Sequence, residues 1–200
     1  MKYLPTRWSL LRLAAAVFVA GVAACDSKPP PEQPKQSTGI SPRVMADALF
    51  AVLSSDRTVY ANEVVYRLQD VDEVLKASEH WERDKVLPLP AQMFKMGAGL
   101  AAKTTDAFDY ALLSKWPINK NSKPRTEVER TGLDRVAENA SRPFYGGETR
   151  DGREYLIAVY ADVAVSPSCV TCHNAHKNSP RTDFKLGDVM GGIVVRIPLP

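Results

Sequence analysis

The chain has 200 residues, a mass of 22.0 kDa, 24% charged and 44% hydrophobic residues, which fits one globular domain with short extras and excludes collagenous, acidic-disordered and polytopic membrane classes. Its 26 basic residues against 23 acidic ones look mildly basic. Three of the cations, Lys2, Arg7 and Arg12, lie in the first 24 residues, and without them cations and acids balance at 23 of each, so a nucleic-acid partner has no electrostatic support.

Behind those cations runs an apolar stretch of twelve residues, 13–24, too short to span a bilayer and of the length of an export signal. It ends in Val22-Ala23-Ala24-Cys25, which resembles the bacterial lipobox, where a cysteine after small residues is acylated and becomes the mature N-terminus. The expectation is a lipoprotein signal over 1–24 and a lipidated Cys25, with a Pro-rich tether over 25–41 that carries four prolines, Pro29, Pro30, Pro31 and Pro34. That places the protein in the periplasm, lipid-anchored to a bacterial membrane. Asp26 after the cysteine favours the inner membrane by the enterobacterial sorting rule.

A domain is expected from 42 to 200. Ser41-Pro42 pairs a cap residue with proline at the first helical position, and Val44, Met45, Ala48, Leu49, Val52 and Leu53 recur at helical spacing. A second helical pattern runs from Val59 to Leu75, separated only by Ser54-Ser55-Asp56, so one long rod is an alternative to two helices. Leu87-Pro88-Leu89-Pro90 is a rigid extended stretch feeding a helix over 91–103. A strand follows over 108–113, then Thr126-Glu-Val-Glu129 forms a capping box for a helix to about 140. Asp151-Gly152 joins strands 144–149 and 154–162 as a hairpin, and the last strand covers 192–197. Long N-terminal helices followed by an antiparallel sheet with one intervening helix describe an α+β domain of the PAS-like sort.

Cys169-Val-Thr-Cys172-His173 is the attachment signature for c-type haem. Two thiols three positions apart can form thioethers with the two porphyrin vinyl groups, and the next residue offers its imidazole to the iron. Three other uses of these residues stay open. A dithiol redox pair wants its first thiol at a helix N-terminus after a buried strand, whereas here it follows Val165-Ser-Pro-Ser168. Zinc could take both cysteines with two of His173, His176 and His80, without a second knuckle of matching spacing. A structural disulfide with an incidental histidine is the third. His176, three residues past His173, lies on the same side of a haem and reads as a surface or supporting histidine.

The long run from Ser168 to Gly191 resembles the segment that closes the bacterial periplasmic haem c sensor domains with a PAS-like fold, found in chemoreceptors and nucleotide cyclases and as single-domain proteins. Tyr60-Ala-Asn-Glu-Val-Val65 and Leu87-Pro-Leu-Pro-Ala-Gln-Met-Phe94 are similar to that family's helix and its Pro-Leu-Pro-Ala segment, so the resemblance covers roughly 42–198. It implies one covalent haem c, held by Cys169, Cys172 and His173, on a sensory or redox domain without catalytic apparatus. Two functions follow as expectations: a redox or diatomic-gas sensor, and as the alternative a small electron-transfer cytochrome. No enzyme activity is expected. A partner protein would receive the signal or the electrons because the sequence ends at Pro200, and a homodimer stays open. Gly191-Gly192 suggest a backbone that passes close to a flat ring, or a bulge in an ordinary strand.

One departure matters. Some relatives bind iron through a cysteine thiolate of the N-terminal helix, but no cysteine lies between Cys25 and Cys169. The sixth iron position is therefore assigned to Met93 or Met96 on the helix after Leu-Pro-Leu-Pro, since a thioether favours ferrous iron. His80, or an open site, is the alternative.

Overall fold

The computed structural model describes residues 39–200. The signal segment, Cys25 and almost all of the tether lie outside the described residues. Helix α1, Pro42–Val59, starts where Ser41 Oγ accepts the Val44 N–H at 3.3 Å, an N-cap followed by proline at the first position. Ser54 and Ser55 do not interrupt it. Their hydroxyls donate back to the Ala51 carbonyl at 3.3 and 2.7 Å, which satisfies both polar groups inside the helix. The rod then continues as a π-helical segment, Tyr60–Val71, four residues short of the expected end, closed by the Asp72 N–H on the Arg67 carbonyl at 2.8 Å.

A small parallel pair follows, β1 (Ala77–Ser78) with β2 (Leu87–Pro88). Between them sits the one-turn helix α2, Trp81–Asp84, which is too short to leave a periodic signal in the sequence. Proline at its first position opens α3, Pro90–Thr104, and the Gln92 side chain accepts the Leu89 N–H at 3.0 Å.

The main sheet has four strands in the order β3 (Asp109–Leu113), β6 (Val189–Pro198), β5 (Arg153–Val163), β4 (Phe144–Arg150), with every neighbour antiparallel. Asp151 and Gly152 take φ of 48° and 77° between paired Arg150 and Arg153, the positive pair that a two-residue hairpin turn needs. Alternate residues of β5 and β6 divide between two cores. Ala158, Tyr160, Ile193, Val195 and Ile197 face α1 and α3 with Ala46 and Phe94. Ile157, Val159 and Val194 face α4 (Glu127–Glu138) with Leu133 and Val136. Because β6 is covered on both faces, Ile193-Val194-Val195 reads as an unbroken apolar run.

Close approach of α4 depends on Gly132. A Cβ there would stand 2.5 Å from Val159 Cγ2 and 2.9 Å from Phe144 Cδ1. Alanine is the better helix former by about 1 kcal/mol, yet overpacking a core costs ~1–3 kcal/mol. Gly132→Ala is therefore expected to lower the urea midpoint despite its gain in propensity, and an unchanged or raised midpoint would show that α4 can slide away freely.

Candidate functional site

Strand β5 ends in a register shift between Asp162 and Val163, and a bulge of this kind bends the strand and re-aims its last side chains. The chain leaves the sheet there and enters α5, Pro167–Ala175, with Pro167 at its first turn. Cys169, Cys172 and His173 stand at i, i+3 and i+4, so one face of α5 presents all three. They line a common cavity of about 320 Å³, within the ~300–1,000 Å³ usual for cofactor sites.

Ala61, Val65 and Gln69 of the π-helical segment form one wall, and Ala91, Gln92 and Lys95 of α3 another. The end of β3 and the loop through Trp116 close a third, and Met190 and Gly191 reach it from β6. The segment after α5 packs back on the motif. Asn174 holds Phe184 through both backbone groups, accepting its N–H at 3.0 Å and donating to its carbonyl at 2.9 Å. Phe184 stands edge-to-face with His173 at 6.0 Å and with Trp116 at 5.9 Å, and the Arg181 guanidinium lies 4.3 Å over its ring. These contacts fix the imidazole from behind.

His173 is the most perturbed group in the cavity. Burial, then the charges of Arg57 and His176, lower its pKa to about 4, so the ring is neutral at neutral pH. Its Nδ1 is buried and has no hydrogen-bond partner among the described residues. The neutral imidazole is the form in which a histidine can bind a metal. Burial pushes the Cys169 and Cys172 thiols up, the opposite of the lowered pKa that a redox dithiol needs. Cys169 nevertheless stands in the first turn of a helix behind a buried strand, so the sequence argument that the motif lacks that setting is corrected; it is the thiol pKa that speaks against dithiol chemistry. Among the described residues no group of three or more His, Cys, Asp or Glu side chains is placed to hold a metal ion. Two thiols on one helix face, an adjoining neutral imidazole and a cavity of cofactor size fit haem attached at this motif.

Methionine ligation is not supported by the geometry. Neither Met93 nor Met96 lines the cavity, and Met96 is 42% exposed. At 100° per residue, Ala91 and Lys95 share the cavity side of α3 with Gln92 at its margin, Phe94 enters the core, and the two methionines fall on the remaining arc. His80 does not line the cavity either, and its side chain is 58% exposed. His176 caps α5 and lines the cavity beside Glu79, its Nε2 3.8 Å from the carboxylate, on the helix that carries His173 as expected. Gly191 and Gly192 answer to protein neighbours: a Cβ at Gly191 would strike the Leu113 carbonyl, and one at Gly192 would stand 2.6 Å from Leu133 Cδ2. They permit close strand and helix packing at the end of β6.

Arg57 and Asp162 were not anticipated. Arg57 Nη2 donates to Asp162 Oδ2 at 3.0 Å, both side chains buried, at the cavity wall. The sequence carried a signal for the arginine: it follows Leu53 by four and Phe50 by seven, a charge on the apolar face of α1.

The family model described as Tll0287-like matches residues 35–198. A solved structure described as the cyanobacterial heme-protein Tll0287 resembles the chain with a TM-score of 0.52 and 17% identity, over 80% of this chain and 98% of that one, a likeness of fold. No curated protein matches the chain.

Proposed function

Since the chain belongs to the Tll0287-like family, we propose that residues 42–200 form a PAS-like haem c domain that senses redox state or a diatomic gas, tethered to a bacterial membrane through a lipid on Cys25. The observation that carries the reading is the cavity onto which Cys169, Cys172 and the neutral, unpartnered His173 converge. The solved structure that shares the fold is that of a heme-protein, which supports the same cofactor. Cys169 and Cys172 would be the two covalent anchors and His173 the proximal ligand. Bound there, haem supplies an iron that changes charge by one electron and can exchange an axial ligand.

Sensing is preferred to simple electron carriage because of the wall beside the motif. The π-helical segment lines the cavity through Ala61, Val65 and Gln69, and the Ser168 hydroxyl donates to Asp70, tying that segment to the start of α5. A π-helix is rare and marks functional positions in helices. Here it is continuous with α1, whose N-terminal end leads to the tether, so a change in the cavity has a stiff path to follow. Spectra of the oxidised and reduced protein, with and without carbon monoxide and nitric oxide, test this. Binding of either gas supports the sensor; indifference to both in each redox state returns the protein to electron transfer.

Met93→Ala and Met96→Ala are expected to leave the reduced spectrum and the reduction potential unchanged, because neither side chain reaches the cavity. A shift in either observable would restore methionine ligation. Cys25→Ser is expected to move the protein from the membrane fraction to the soluble one, and retention in the membrane would argue for an uncleaved anchor.

A further inference from the structure

Arg57 is the charged residue that α1 buries, from a position where the helical repeat calls for an apolar side chain. One corner of its guanidinium, Nη2, donates to Asp162 Oδ2 at 3.0 Å, and each side chain of the pair is 9% exposed. Its Nε is shielded from solvent and has no hydrogen-bond partner among the described residues. An arginine that serves only to neutralise a carboxylate does so best with two parallel N–H donors. Here one contact is made and a buried donor is left over, in a side chain that lines the cavity. A buried N–H without an acceptor is costly, and most such groups in folded proteins are satisfied by a partner that belongs at the site.

Resting on the haem reading above, we propose that Arg57 is the carboxylate-binding residue of this cavity, its positive charge and the guanidinium N–H donors that Asp162 does not take binding an anionic oxygen either of a porphyrin carboxylate or of a small oxyanion from solution. Asp162 has the complementary part of orienting the guanidinium from the bulged end of β5. The negative charge of Asp162 also weakens the field that a free anion meets, so a carboxylate delivered on a larger, otherwise anchored molecule is the favoured source. Lys95, the other cation of the cavity wall, is already engaged with Ser122 Oγ at 2.6 Å, and Glu79 stands beside His176. Lys95 keeps two further N–H donors, but Arg57 is the cation whose unpartnered donor is shielded from solvent.

The test uses the full chain carrying Cys169→Ala and Cys172→Ala, in which no thioether can form. It is titrated with iron protoporphyrin and with the dimethyl ester of the same compound, which has no free carboxylate. Arg57→Gln strands the Asp162 carboxylate, so the paired variant R57Q/D162N is carried alongside it and thermal unfolding verifies that each is folded. Loss of Arg57 is expected to weaken binding of the diacid roughly ten- to a hundred-fold, the worth of a charge-assisted hydrogen bond, and to leave binding of the ester unchanged. In a third arm, sodium acetate and sodium nitrite are titrated calorimetrically into the porphyrin-free chain. Arg57-dependent binding there, with both porphyrins indifferent to Arg57, assigns the donor to a free oxyanion. The inference is overturned when diacid, acetate and nitrite all bind, or fail to bind, irrespective of Arg57. Failure of both porphyrins in every background would sink the haem reading itself, and the acetate and nitrite arm then decides the role of Arg57 alone.

Discussion

A chain carrying Cys169→Ala and Cys172→Ala, expressed in a host that attaches haem c, is expected to hold no covalent pigment, while each single replacement retains one thioether. The reason is steric as much as chemical. The two thiols sit three residues apart on α5 and line the same cavity, so each has its own reaction partner and neither substitutes for the other. His173→Ala should allow attachment but remove the proximal bond, because the imidazole that lines the cavity comes from the next residue of the same helix face. Phe184 and Asn174 would still hold the loop behind it, which makes the change local. The measurement is extraction into acidified organic solvent, followed by the mass of the tryptic peptide that contains the motif. Pigment that extracts freely from the unaltered protein, or a mature peptide with two free thiols, would end the covalent assignment.

Replacing Glu129 by alanine is expected to cost about 3–5 kcal/mol, the usual penalty for removing one partner of a buried ion pair, against a total stability of ~5–15 kcal/mol for a domain. Glu129 is fully buried at the start of α4. Its Oε1 accepts from Arg196 Nε at 3.0 Å and Nη2 at 2.6 Å, and from Arg150 Nη2 at 3.3 Å. Its Oε2 accepts the Arg125 backbone N–H at 2.7 Å. Removing it leaves Arg196 buried in the central strand with only Asp109, half exposed on β3, to balance it, which points to the lower end of that range. Burial pushes the carboxyl pKa up, but the Arg125 N–H and the Arg196 guanidinium outweigh it, and the net shift is below the ordinary value of 4.5. A carboxyl lowered on folding contributes stability that is complete above its unfolded pKa and is lost as pH falls through the folded one. Unfolding by urea at pH 7 and at decreasing pH below about 4.5 should therefore show the difference between Glu129→Ala and the parent shrinking with acid. A constant difference would assign the loss to packing.

Those two expectations were unequally legible. The spacing of Cys169, Cys172 and His173 was legible in the sequence, whereas the helix α5 that brings them onto one face, and the segment that folds back on it, were seen only in the structure. For Glu129 the sequence showed the capping box, since Thr126 Oγ1 does accept the Glu129 N–H at 3.3 Å. It could not show that the same carboxylate reaches an arginine 67 residues later. The placement of Met93 and Met96 outside the cavity lining was hidden for a related reason: helical spacing says that they are not on one face with Ala91 and Lys95, but which of those faces meets the cavity depends on where β3 and α5 stand.

What the sequence by itself determined is therefore local: the cap and proline that start α1, the Asp151-Gly152 turn, and the spacing of Cys169, Cys172 and His173. Each follows from backbone dihedrals or side-chain periods acting over a few residues. Only the tertiary structure decided the strand order β3-β6-β5-β4, the conversion of the rod to a π-helix beside α5, and the meeting of Arg57 with Asp162 across 105 residues. Charges buried at a distance are chosen by the desolvation they share, and no local period records that choice.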